Sequence, residues 1–73
     1  MIRRGEIMKF NLKFNDIDEE RNLNDNYSIK NLFDDLSVSS QTIVAKQNGE
    51  IAVEESVINN GDTIQLIQII YGG

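Results

Sequence analysis

The sequence contains no cysteine and no histidine. The first absence excludes a disulfide framework, a thiolate zinc site and a nucleophilic thiol. The second removes the usual general base near neutral pH and the commonest metal ligand. Positive charge is also scarce: 7 Lys and Arg stand against 12 Asp and Glu, a net charge of -5. Nucleic-acid binders present a dense basic face to phosphate, so nucleic acid is not expected as a partner. No apolar run approaches the ~20 residues that span a bilayer. Arg3 and Arg4 have no apolar stretch behind them, so neither a signal peptide nor a membrane partner is expected. At 73 residues the chain makes one domain; a domain of that size buries only ~60% of its unfolded surface. With 40% apolar and 26% charged residues the composition is that of an ordinary globular chain. Such a small chain, poor in catalytic residue types, is expected to bind, carry or be recognised, with no catalytic or metal-ligating residues of its own.

Residues 1–7 read as a flexible leader, with Met8 as an alternative start, and residues 8–73 as the domain. Met8, Phe10, Leu12 and Phe14 alternate with Lys9, Asn11 and Lys13, the period-two pattern of a half-buried strand. Asn15-Asp16 supplies turn chemistry, and residues 17–23 complete a hairpin. Ile29, Leu32, Phe33 and Leu36 follow at i, i+3, i+4 and i+7, one face of a helix, with Ser28 at the N-cap position. The stretch 37–41 ends that helix without a glycine cap. Residues 42–47 read as a third strand, rich in β-branched residues near its start. Asn48-Gly49 is a strong hairpin turn signal. Residues 50–53 form a short strand, and residues 59–62 (NNGD) a further turn. The last strand, Thr63 to Tyr71, is the most apolar stretch. Ile64, Leu66 and Ile70 fall on one face, with Gln68 interrupting; Ile67, Ile69 and Tyr71 fall on the other. One helix covers one face of a sheet, so the second apolar face meets solvent or a partner.

The strand runs into Gly72-Gly73. At ~7% glycine, a chance pair at a given place is roughly a 0.5% event. A frayed terminus is the bland reading. The functional one is a tail threading a narrow site, since glycine has no Cβ and lets another backbone close around it. The reactive group of such a tail is the carboxylate of Gly73.

The order of elements and the tail resemble the ubiquitin-like β-grasp proteins, and in particular the small sulfur carriers ThiS and MoaD and the archaeal ubiquitin-like small modifiers. The resemblance spans nearly all of Met8–Gly73. Its most specific stretch is residues 61–73 (GDTIQLIQIIYGG): Gly-Asp, alternating apolar residues and a final Gly-Gly. Asn48-Gly49-Glu50-Ile51 matches the family's Asn-Gly turn, and Ser28-Ile29 with Leu32, Phe33 and Leu36 matches the helix after the first hairpin. The short spacing from Asn48 to Gly61 and the lack of proline resemble MoaD more than the thiazole branch. MoaD proteins often carry prolines before the tail, where this chain has Gln68-Ile69-Ile70, and Tyr71 is bulkier than the small residue common in both.

The resemblance implies an α+β fold, a mixed four- to five-stranded sheet with one main helix on one face. It implies that an E1-like enzyme adenylates the Gly73 carboxylate with ATP, and that a sulfur nucleophile, often a persulfide, converts it to a thiocarboxylate. Gly73 is then the attachment point and Gly72 gives clearance. ATP and any metal belong to the activating partner, and the carrier binds no cofactor. The sulfur goes to a synthase making thiamine thiazole or molybdopterin, or to tRNA thiolation. The alternative implied by the archaeal relatives is a protein modifier joined through Gly73 to target lysines. Ile67, Ile69 and Tyr71 are the candidate docking residues, because interfaces favour apolar and aromatic anchors. The acidic surface either steers the carrier to a basic groove or serves solubility alone. The pairs Glu19-Glu20, Asp34-Asp35 and Glu54-Glu55 read as solvated faces. A cytoplasmic, monomeric carrier is expected.

Overall fold

The computed structural model describes residues 7–69, with the elements β1 (Lys9–Phe14), β2 (Ile17–Asn22), α1 (Ile29–Leu36), β3 (Ile43–Gln47), β4 (Glu50–Ala52) and β5 (Thr63–Gln68). Residues 1–6 of the expected leader and residues 70–73, including Tyr71, Gly72 and Gly73, lie outside the described residues. Ile7, the last residue of that expected leader, is exposed.

The strands form one mixed sheet in the order β2-β1-β5-β3-β4. Two antiparallel hairpins, β1–β2 and β3–β4, flank a centre in which β5 runs parallel to β1 and antiparallel to β3. This is the five-stranded form of the expected sheet. Both hairpin loops have two residues, since Phe14 pairs with Ile17 and Gln47 with Glu50. Asn48 and Gly49 both take positive φ, 54° and 90°, which defines the type I′ turn that suits the twist of the flanking strands. A Cβ on Gly49 would meet nothing within 4 Å, so backbone conformation rather than space favours glycine there.

The helix begins in a capping box. The Ser28 hydroxyl accepts from the Asn31 N–H, and the Asn31 side chain accepts from the Ser28 N–H at 3.0 Å. The segment after β4 satisfies two further first-turn donors: Ile29 N–H donates to the Ser56 carbonyl and Lys30 N–H to the Glu54 carbonyl. At the other end Ser37 sits in the left-handed region at φ 58°. Its N–H bonds the Asp34 carbonyl, and the Val38 N–H bonds the Phe33 carbonyl. That is a Schellman closure with serine doing what glycine usually does.

The core lies between α1 and one face of the sheet. Phe10, Leu12, Ile29, Leu32 and Ile64 are almost completely buried, and Leu66, Ile43 and Ala45 join them. Leu23 and Ile58 close the core from the loops. Gln68 has the parity of Ile64 and Leu66 yet is exposed. The buried side of β5 ends at Leu66, so a polar residue is tolerated two positions later.

Candidate functional site

Strand β5 carries Ile67, the first of the expected docking residues, and its two faces differ sharply. Ile64 and Leu66 are buried under α1, whereas Ile67 is 37% exposed on the opposite face. Ile69 follows the strand half-buried, its N–H donating to the Thr42 carbonyl at 2.8 Å, so pairing with the β3 side continues one residue past β5. Tyr71, Gly72 and Gly73 fall outside the described residues, so the structure brings together only Ile67 and Ile69 of the five expected site residues.

The register defines what surrounds Ile67. It pairs with Val44 on β3. One step back, a row crosses all five strands: Asp18, Lys13, Gln65, Lys46 and Ile51. These residues share the face turned away from α1, because paired residues in a sheet point the same way. Ile51 is 74% exposed at the sheet edge and extends the apolar surface.

The opposite end of β5 is fixed by a polar clasp built on Asp62, the one buried charged residue among those described. Its carboxylate accepts from Gln47 Nε2 at 2.7 Å, Asn48 Nδ2 at 3.0 Å and the Asn59 N–H at 2.8 Å. Burial pulls the carboxyl pKa upward, but the bonds from Asn48, Asn59 and Gln47 together outweigh it and hold Asp62 below its ordinary value of 3.8. Asn48 also accepts from the Thr63 N–H through its side chain, and its own N–H donates to the Thr63 carbonyl. The same loop grips β1: Gly61 N–H donates to the Lys9 carbonyl and Asn11 N–H to the Asp62 carbonyl. Asp62 therefore fixes where β5 starts and its register against both neighbours. The sequence marked Gly61-Asp62 only as a turn and a shared motif; the pairing of Asn-Gly with Gly-Asp was the signal for a clasp.

The carboxylate pairs are exposed, as expected, apart from the half-buried Glu54, and one of them also makes a hydrogen bond. Asp35 accepts a hydrogen bond from the Tyr27 hydroxyl. Burial, the Asp35 bond and the nearby negative charge push the Tyr27 pKa upward. The exposed Asp35 thus anchors Tyr27, whose ring lies 6.0 Å from that of Phe10. Glu19 pairs with Arg21 and Glu20 with Lys9, exposed contacts on opposite faces of the hairpin that contribute little. Among the described residues no group of three or more His, Cys, Asp or Glu is placed to hold a metal ion. None of the described helices is long and apolar enough to cross a membrane.

A helix laid on one face of a mixed sheet, with a parallel centre and an open second face, defines the ubiquitin-like β-grasp class. Solved structures that share it include the following two. The N-terminal ubiquitin-like domain of the 4931431F19Rik protein matches at TM-score 0.67 and 17% identity, covering 92% of this chain and 79% of that one. The thiamine biosynthesis protein ThiS from Geobacter metallireducens matches at TM-score 0.61 and 19% identity, covering 86% of this chain and 99% of that one. No curated protein matches by sequence. The model of the ThiS family matches residues 8–73, and the chain belongs to that family.

Proposed function

We propose that the chain is a sulfur carrier whose Gly73 carboxylate is adenylated by an E1-like enzyme and converted to a thiocarboxylate. The observation that carries this reading is the family match, which runs from Met8 through Gly72-Gly73. A carboxylate is ionised near pH 7 and is a poor electrophile. Its oxygen attacks the α-phosphate of ATP and displaces pyrophosphate, so that AMP becomes the leaving group. A persulfide sulfur then attacks the acyl carbon and expels AMP. A thiol cleaves the resulting S–S bond and leaves the thiocarboxylate. No step needs a side chain of the carrier, which fits a chain without cysteine or histidine. ATP and any metal are held by the activating enzyme, and the carrier works as a monomer in the cytoplasm.

The carrier's contribution is presentation. β5 is hydrogen-bonded along both edges, and its start is clasped at Asp62. Five residues follow Gln68, ending at Gly73, a fully extended reach of about 17 Å. In this reading Ile67, Ile69 and Tyr71 dock the body on the activating enzyme while Gly72 clears its channel. Membership of the ThiS family favours the thiazole of thiamine as the destination of the sulfur, through a sulfur-accepting synthase.

The test is the intact mass of the protein after incubation with its host's E1-like enzyme, ATP and a persulfide donor. A gain equal to sulfur replacing oxygen is expected, absent when Gly73 is deleted and strongly reduced in Gly72→Val. Higher-mass conjugates in host lysate, with no thiocarboxylate, would establish the protein-modifier reading instead.

A further inference from the structure

Two of the chain's nine asparagines precede glycine, at Asn48-Gly49 and Asn60-Gly61. Glycine has no Cβ to shield its backbone nitrogen, so that nitrogen is free to attack the preceding carboxamide. The fold treats the two pairs differently. At Asn60-Gly61 the attacking group is occupied, because the Gly61 N–H donates to the Lys9 carbonyl at 2.7 Å. At Asn48-Gly49 the Gly49 N–H has no acceptor among the described residues, and both residues are exposed to water. What is held there is the carboxamide: Asn48 Nδ2 donates to Asp62 Oδ1 at 3.0 Å, and Asn48 Oδ1 accepts from the Thr63 N–H at 2.9 Å. The two oxygens of Asp62 are served separately. Gln47 Nε2 and the Asn59 N–H converge on Oδ2, and Asn48 serves Oδ1. All three donors are neutral.

We propose that Asn48-Gly49 is a deamidation site guarded by the Asp62 clasp, and that conversion of Asn48 to a carboxylate opens that clasp. The reaction needs water alone and stands apart from the carrier reading. Once both side-chain bonds of Asn48 break, the Gly49 nitrogen attacks Asn48 Cγ and gives up its proton. The new N–C bond replaces the Cγ–Nδ2 bond, and ammonia leaves. Water then opens the succinimide ring. Cleavage at Cγ gives aspartate in an unaltered backbone; cleavage at the α-carbonyl gives isoaspartate, with the chain running through the side chain. The net change is NH replaced by oxygen, with no oxidant or reductant. Aspartate at this position keeps the acceptor for the Thr63 N–H and loses the donor to Asp62 Oδ1. Two carboxylates then meet at hydrogen-bond distance with no cation among their partners, and like charges so close disfavour joint ionisation. Isoaspartate adds a backbone atom to a two-residue type I′ turn whose length fixes the β3–β4 register. Either product loosens the start of β5.

The experiment incubates the full chain near neutral pH and follows each Asn-Gly pair by peptide mass, as a gain equal to oxygen replacing NH. Conversion at Asn48 is expected to run about tenfold or more slower in the folded chain than in concentrated urea, because opening of the clasp precedes attack. Asp62→Ala raises the folded-state rate at Asn48 by about fivefold or more, with Asp62→Asn in between. Ile29→Val, a mild change in the core under α1, leaves it within about twofold. Circular dichroism checks that each variant is folded; if Asp62→Ala is not, Asp62→Asn against Ile29→Val decides. Thermal unfolding reads the consequence. Asn48→Asp is expected to lower the midpoint by roughly 8 °C or more. Asn60→Asp, whose oxygen still accepts from the Lys9 N–H, lowers it by no more than about 2 °C. Adding Asp62→Asn to Asn48→Asp recovers about half the loss or more, since the new amide donates to the new carboxylate while its oxygen accepts from Gln47 and Asn59. Equal Asn48 rates with and without urea, or an equal rise in Ile29→Val and the Asp62 variants, overturns the proposal. So does an Asn48→Asp midpoint at the parent value, or no recovery in the double variant.

Discussion

The two faces of β5 are built from similar residues and do different things. Ile64 and Leu66 are at most 3% exposed beneath α1, while Ile67, in the same strand, is 37% exposed. Apolar character in a central strand therefore has two separable meanings. On the helix side it is cohesion: both residues belong to the core cluster with Phe10, Leu12, Ile29 and Leu32, and removing atoms leaves a cavity. On the open side it is surface, and its proposed value lies in contact with a partner. The difference comes from how far one eight-residue helix reaches, since it shields one face only.

Five variants would sharpen or break this contrast. The largest effect is expected at Leu66→Ala, a loss of about 3 kcal/mol in urea unfolding, the usual cost of a cavity in a close-packed core. Next comes Asp62→Ala, which strips the shared acceptor from Gln47, Asn48 and Asn59 and should cost about 2 kcal/mol near neutral pH. The pH dependence follows from the lowered Asp62 pKa. Its contribution is fully present above the unfolded carboxyl value of 3.8 and falls away as pH drops below that value through the folded one. Unfolding curves from pH 6 to pH 2 should therefore show less acid destabilisation in Asp62→Asn than in the parent. Ser37→Gly relieves a left-handed non-glycine residue and should raise the thermal midpoint, a gain of about 1 kcal/mol confined to the helix side. The smallest stability effect is expected at Ile67→Asp, within about 1 kcal/mol, because the side chain is already partly in water. If that variant unfolds the domain in the same urea titration, the open face is structural and the contrast fails.

What the sequence revealed depended on the range of the interaction. Ile29, Leu32, Phe33 and Leu36 announced the helix, and Phe10 and Leu12 announced β1, because their spacing follows from the local backbone repeat. Asn48-Gly49 announced its turn for the same reason. The opposite placement of Ile67 from Ile64 and Leu66 was also legible, since alternation along a strand is local. The Asp62 clasp was not. Gln47 and Asn48 lie about fifteen residues upstream, and nothing in either segment alone states that they meet. The burial of Ile58 was missed for a related reason: residues 53–58 have no repeat of their own and are positioned by hydrogen bonds to Tyr27, Ile29 and Lys30.

The parallel pairing of β1 with β5 also has a consequence for the order of folding. The strand at the centre of the sheet is supplied by residues 63–68, more than fifty residues after the neighbour it joins. Closing so long a loop precedes any gain from the contacts it makes, so the sheet's centre forms late, and the β1–β2 hairpin alone cannot hold a core. A chain interrupted before residue 68 lacks the strand that joins the two hairpins and remains open to proteolysis. In a cell, copies that stop short of β5 would be cleared by proteolysis, and those that persist would already have synthesised residues 63–68.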